Sequence, residues 1–304
     1  LPVRPRRAAP AGPGQSGAER EPLSLANAEG WVAAHEYLRP VGELCALVDR
    51  AAADAEPATR RVAVPSRDDY REEFLAGVPL LRSERVVVDL EPAGAMTAAV
   101  ARAVASRASP GRVRDEAAEL DAALRSEPEA PRKIADWLLG DESWSPPSPG
   151  LLRYLGWTAA ARCLRPVVEA FERSGEDERW MRGYCPTCGS APAMAHLAEA
   201  DASRARRMCC GLCGTRWQYP RTKCPFCEAD SQKLSIVAVE GEGGLRLDYC
   251  PSCQGYLKTY AGKGNEVLLL SDWSSLHLDL IARDRGLKKV AASLYEFEPA
   301  PLGP

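Results

Sequence analysis

Eight cysteines stand in four pairs, each pair enclosing two residues: Cys185 with Cys188, Cys210 with Cys213, Cys224 with Cys227, and Cys250 with Cys253. That spacing lets one tight turn aim two sulfurs at a single metal ion. Pro186, Gly189, Gly211, Gly214, Pro225 and Pro251 are the residue types that make or tolerate such turns. Cys185 precedes Cys210 by 25 positions and Cys224 precedes Cys250 by 26, so the segment reads as a duplicated unit of knuckle, hairpin and knuckle. The simplest pairing is sequential, with the first two knuckles closing one four-sulfur site and the last two closing another. An interleaved pairing, first with third and second with fourth, is the alternative.

None of the three histidines falls in a knuckle, so the ligation is all-sulfur and points to zinc or iron. Four thiolates around one ion leave no open position for substrate or activated water, which argues against hydrolytic metal catalysis. Zinc would make the sites structural; iron would make them one-electron carriers in the manner of rubredoxin. Disulfides are the competing reading, but four knuckles with matched gaps and turn residues fit metal better. A thioredoxin-like redox pair would sit at the head of a helix after a βαβ pattern, and none surrounds these cysteines. Cys45 and Cys163 fall on apolar helical faces as packed thiols, and Cys209, beside Cys210, should point to the opposite face of its strand. His35, His196 and His277 are isolated from one another in sequence and read as surface or hydrogen-bonded residues.

The elements that must position these sulfurs follow from hydropathy patterning. Ala193 to Leu197 and Arg206 to Cys209 are the expected strands of the first hairpin. Leu234 to Val239 and Leu245 to Tyr249 flank a turn over Glu240, Gly241, Glu242, Gly243 and Gly244 in the second. Residues 183–304 are therefore expected to form a double rubredoxin-like metal-binding domain with a C-terminal helix. Upstream, residues 25–182 are helical in pattern. Trp31, Tyr37 and Leu38, then Leu44, Leu47 and Val48, recur at helical steps. Ser66 with Asp69 reads as a capping box before Phe74 and Leu75. Pro92 opens a helix through Met96, Val100 and Val104. A further helix spans Leu151 to Phe171, with Pro166 expected to kink or divide it. Residues 1–24, rich in proline, arginine and glycine, read as a disordered tail. The fold class expected is α+β, an all-helical N-terminal domain followed by a tandem pair of rubredoxin-like or zinc-ribbon units with four cysteines each.

With 304 residues, 45% of them hydrophobic, the chain can bury real cores. Its formal charge of -3 gives no global pull toward nucleic acid or a membrane. No apolar run is long enough for a membrane span and no secretory core is present, so the expectation is a soluble cytoplasmic protein. One local patch stands out, since residues 204–223 carry Arg204, Arg206, Arg207, Arg216, Arg221 and Lys223 with Trp217 and Tyr219. A nucleic-acid-binding zinc ribbon is the alternative function this patch raises. The competing account, which we favour, is electrostatic: a divalent ion with four thiolates carries a formal charge of minus two, and nearby cations offset it.

The run Cys185-Pro-Thr-Cys-Gly-Ser, then Cys210-Gly-Leu-Cys213 with Trp217, then Arg221 and Lys223 before Cys224, then Cys250-Pro-Ser-Cys253 with Gly255, Tyr256 and Lys258, resembles the formate dehydrogenase accessory protein FdhE family. The resemblance continues into Asp272 to Asp279, where Leu276 and Asp279 match a C-terminal helix motif. It implies a cytoplasmic maturation factor that binds the catalytic subunit of a molybdenum or tungsten formate dehydrogenase and has no turnover of its own. It also implies two rubredoxin-like sites with iron as the favoured metal, and a helical half that supplies most of the docking surface.

Overall fold

The computed structural model describes residues 25–55, 63, 66–174, 177–197, 205–230 and 234–296. The tail expected over residues 1–24 lies outside them.

The helical half follows the apolar periodicity. Helices α1 (Leu25–Ala34), α2 (Arg39–Asp54), α3 (Arg67–Ala76), α4 (Glu91–Arg107), α5 (Arg112–Ser126), α6 (Ala130–Leu138), α7 (Pro149–Ser174) and the short α8 (Asp177–Trp180) succeed one another. The Ala- and Val-rich α4 is the central element, packed by α2, α5, α6 and α7, and it buries Ala93, Met96, Val100, Ala101 and Val104 completely or nearly so. Small residues there allow close helix approach: a Cβ on Gly94 would sit 1.9 Å from the Pro131 carbonyl oxygen. Pro92 lies in the first turn of α4, where its missing N–H costs nothing.

The capping box expected at Ser66 and the division, as against a kink, expected at Pro166 do not form. Ser66 does stand at the N-cap of α3 with extended backbone, but its side chain makes no capping hydrogen bond, so no capping box forms. Pro166 does not divide its helix, because α7 runs unbroken from Pro149 to Ser174. The ring removes one helical hydrogen bond, yet Leu164, Val167 and Val168 around it are buried and hold the helix through packing.

The C-terminal half is one sheet. Strands β1 (Pro192–His196), β2 (Ala205–Cys210) and β3 (Arg216–Pro220) form an antiparallel meander, as do β4 (Ser235–Ala238), β5 (Leu245–Tyr249) and β6 (Gly255–Tyr260). The two meanders join through a parallel pairing of β1 with β6, with Met194 opposite Lys258 and His196 opposite Tyr260. The resulting order is β3-β2-β1-β6-β5-β4, and the two-residue β7 (Lys288–Lys289) adds in parallel beside β6. Helices α9 (Glu266–Leu269) and α10 (Leu276–Asp284) follow β6 and precede β7. The third strand of each meander goes beyond the two expected hairpins, although the alternation of buried Trp217 and Tyr219 with half-buried Gln218 in β3 is a strand pattern.

The buried apolar interior is continuous from the helices into the sheet. The loop after α3 binds the first knuckle through main-chain bonds, Leu80 N–H to Pro186 O and Leu81 N–H to Thr187 O, both 2.9 Å. Trp217 donates its indole N–H to Arg182 O at 2.9 Å, and the Tyr184 hydroxyl donates to Gly77 O at 2.8 Å.

Candidate metal centres

In all four knuckles the first cysteine donates its main-chain N–H to the carbonyl five residues on: Cys185 to Ser190, Cys210 to Thr215, Cys224 to Ala229 and Cys250 to Gly255, at 2.7 to 3.0 Å. The residue four places after that cysteine has left-handed backbone in each case, with φ of 81° at Gly189, 76° at Gly214, 59° at Glu228 and 59° at Gln254. This turn folds both cysteines of a pair to one side. Main-chain N–H groups then point at sulfur: Leu212 and Cys213 at Cys210 Sγ, Phe226 at Cys224 Sγ, and Gly255 at Cys253 Sγ, each 3.4 Å.

The structure brings Cys185, Cys188, Cys210 and Cys213 into one cluster and Cys224, Cys227, Cys250 and Cys253 into another, the sulfurs of each lying within 4.8 Å of one another. The pairing is thus sequential, not interleaved. In the first cluster Cys185 to Cys213 and Cys188 to Cys210 are 3.5 Å apart; in the second Cys224 to Cys253 is 3.9 Å and Cys227 to Cys250 is 3.7 Å. Four sulfurs about 2.3 Å from one ion define a tetrahedron with edges of about 3.8 Å, so the spacing fits Zn²⁺ or an iron ion at each centre. A disulfide would require about 2.05 Å, and none is formed among the described cysteines.

The electrostatics fit as well. Burial pushes the Cys185 and Cys213 thiols well above their ordinary value and Cys224 up to about 12. Cys250 is brought down to about 7, burial being outweighed there by the amide groups of Cys253 and Ser252 and the thiols of Cys227 and Cys224. Buried sulfurs so close together cannot all ionise unaided, and a cation at their centre would supply the compensation.

The two centres differ in setting. In the first, Cys185, Cys210 and Cys213 are buried, Cys188 is half-buried, and the hydroxyls of Ser190 and Thr215 lie 3.1 to 3.2 Å from sulfur. In the second, Cys227 is exposed and Cys253 half-buried. Cys45 and Cys163 are buried in the helical half, and buried Cys209 stands outside both clusters.

In the basic segment Arg207 and Lys223 are exposed and Arg216 and Arg221 half-buried, while the aromatic residues lie inside. Trp217 and Tyr219 are fully buried, unavailable to stack on bases, and Arg206 is buried against the Tyr219 ring, its guanidinium donating to Lys223 O. Arg204 lies outside the described residues.

Sequence reasoning missed two polar clusters, although Tyr256, Lys258 and Asp279 of the first are among the residues that carry the resemblance. Lys258 on β6 is 2% exposed, ion-paired to Asp272 and, at 3.1 Å, to Asp279; the Tyr256 hydroxyl donates to Asp279 at 2.8 Å and Lys289 bonds the same carboxylate at 2.9 Å. This network fastens α10 and β7 to the sheet. The available signal is Lys258 in the middle of a strand that is buried along its whole length, where an apolar residue is expected. The second cluster joins histidines that are far apart in sequence: of the surface or hydrogen-bonded settings expected, His35 and His277 take the hydrogen-bonded one, buried and meeting across Glu242. The half-buried His196 makes one hydrogen bond to Gly262 O at 3.0 Å and stacks on Tyr260.

By fold and site the chain is an α+β protein whose C-terminal sheet is a doubled ribbon bearing two four-cysteine clusters. Residues 184–221 match the family model for the FdhE central domain. A "Protein FdhE homolog" from Aquifex aeolicus (strain VF5) is 33% identical over 133 residues, 42% of this chain and 47% of that protein. Another from Pseudomonas aeruginosa is 36% identical over 118 residues, 36% of this chain and 38% of that protein. The matched stretch spans about half or less of the length of these relatives. The crystal structure of the FdhE protein from Pseudomonas aeruginosa superposes with a TM-score of 0.56 and 25% identity, covering 93% of this chain and 95% of that one. The likeness to the FdhE family carried by the knuckle residues thus extends to the whole fold. Among the described residues no helix is long and apolar enough to cross a membrane.

Proposed function

We propose that this chain is a metal-bearing accessory protein of formate dehydrogenase assembly, acting in the cytoplasm on the immature catalytic subunit and having no turnover of its own. Cys185, Cys188, Cys210 and Cys213 hold one ion, and Cys224, Cys227, Cys250 and Cys253 hold the other. Residues 183–304 are the metal-binding domain, and residues 25–182 supply most of the docking surface. Iron is the favoured metal and zinc the alternative: iron would give each site a one-electron couple, zinc a structural staple.

The observation that carries this reading is the pair of sulfur tetrads, built on ribbons that match the FdhE central domain in the first unit and repeat it in the second. Closed four-thiolate centres offer no coordination position to a substrate, which fits a binding protein better than an enzyme. The test is co-expression of the tagged full chain with a formate dehydrogenase catalytic subunit. Co-purification of the two, together with loss of formate dehydrogenase activity when the chain is deleted, is expected. Full activity without the chain, and no co-purification, would overturn the proposal. Elemental analysis and an absorption spectrum of the anaerobically purified chain separate iron from zinc.

A further inference from the structure

Three residues remote in sequence meet away from the cysteines. His35 follows α1, Glu242 lies in the turn between β4 and β5, and His277 stands in the first turn of α10. Their ligand atoms all lie within 4.8 Å of one another. His277 Nε2 is 2.7 Å, and His35 Nε2 3.3 Å, from the same oxygen, Glu242 Oε2, and each side chain is about nine-tenths buried.

The hydrogen-bonding partners fix how these groups face one another. His35 Nδ1 lies 2.9 Å from the carbonyl oxygen of Trp31. A carbonyl only accepts, so Nδ1 carries the hydrogen, and in the neutral ring Nε2 turns a bare lone pair toward the carboxylate. Two acceptors facing each other in a buried site call for a cation between them. The arrangement has the parts of a metal site: two imidazoles, one carboxylate, and an outer carbonyl that sets the ring's tautomer. Trp31 stacks on His35 with ring centres 4.1 Å apart and donates its indole N–H to Ser274 O at 3.0 Å, so the ring is held in place. Tyr37, 59% exposed, meets both imidazoles edge-on, which puts the cluster one side chain below the surface, within reach of ions from solvent.

We propose that His35, Glu242 and His277 form a third metal site, for a borderline divalent transition-metal ion such as Zn²⁺, that ties the helical half to the second ribbon and to α10. Imidazole and carboxylate donors suit such ions, and three protein ligands leave a position for water or an added ligand. The proposal does not depend on the accessory role or on the metal held by the cysteines.

The test is made on the full chain, saturated with Zn²⁺ and equilibrated against a low free Zn²⁺ concentration, with bound metal counted by elemental analysis and shielded thiols counted in the same samples. Wild type should hold one equivalent more than Glu242→Gln and than the double variant H35Q/H277Q, with the same number of shielded thiols in all three. Equal metal content in wild type and variants would overturn the site. Wild type alone also decides, since it has only three histidines. On addition of the extra equivalent, the ring nitrogens of two should shift in ¹⁵N NMR spectra while the third stays in place. Unshifted nitrogens, leaving a protonated histidine paired with the carboxylate, would equally sink it.

Discussion

The left-handed residue that closes each knuckle is glycine in the first two, Gly189 and Gly214, but Glu228 and Gln254 in the last two. A side chain in that conformation costs about 1–2 kcal/mol. Replacing Glu228 by glycine should therefore stabilise the metal-loaded protein by about 1 kcal/mol, whereas Gly189→Ala should destabilise it by a similar amount. A Cβ on Gly189 would also press on Pro79 at 3.0 Å. Denaturant titration of both variants checks this, and no change in either would contradict the turn. Lys258 makes a second case. Burial alone would raise the Asp272 carboxyl, but Lys258 and Lys289 hold it below its ordinary value. That stabilisation is complete above the ordinary carboxylate pKa of about 3.9 and is lost as pH falls through the lower folded value. Lys258→Met leaves Asp272 and Asp279 short of a counter-charge. It should cost about 3–5 kcal/mol and move the acid-unfolding midpoint to higher pH, as followed by circular dichroism. An unchanged midpoint would show the network to be dispensable.

At the scale of elements, the two ribbons are copies with unequal protection. The first is bound by the loop after α3 and tied through Trp217 to Arg182 O, while the second leaves Cys227 exposed. Brief treatment of the native loaded protein with N-ethylmaleimide should label Cys227 well before Cys185, read by peptide mass spectrometry; the reverse order would contradict the asymmetry. The knuckles and both hairpins are legible in the sequence because turn residues, sulfur spacing and alternation are local signals. Strands β3 and β6 are harder to read, although they hold Trp217 and Tyr256, because each follows a knuckle closely: the turn chemistry masks the alternation of β3, and β6, buried along its whole length, has none to show. Pro166 does not divide α7 because tertiary packing outweighs the loss of one helical bond, which no local pattern reports.

At the scale of the molecule, what sequence could not supply is long-range: the parallel joint of β1 to β6 that makes one sheet of two ribbons, and the meeting of His35 with Glu242 and His277. Residues so far apart along the chain leave no mark on local periodicity. The joint has a consequence for stability, because each ribbon supplies the other's neighbour strand, and metal loss from either should loosen both. Structural four-thiolate sites contribute on the order of 10 kcal/mol in small units, so chelation should melt the sheet while the helical half keeps much of its circular dichroism. The central claim, eight sulfurs around two ions, is tested most directly by X-ray absorption at the metal edge of the reduced chain supplied with two equivalents of Zn²⁺. The account predicts four sulfur scatterers per ion at about 2.3 Å. A shell dominated by nitrogen or oxygen, or fewer than four sulfurs per ion, would contradict it.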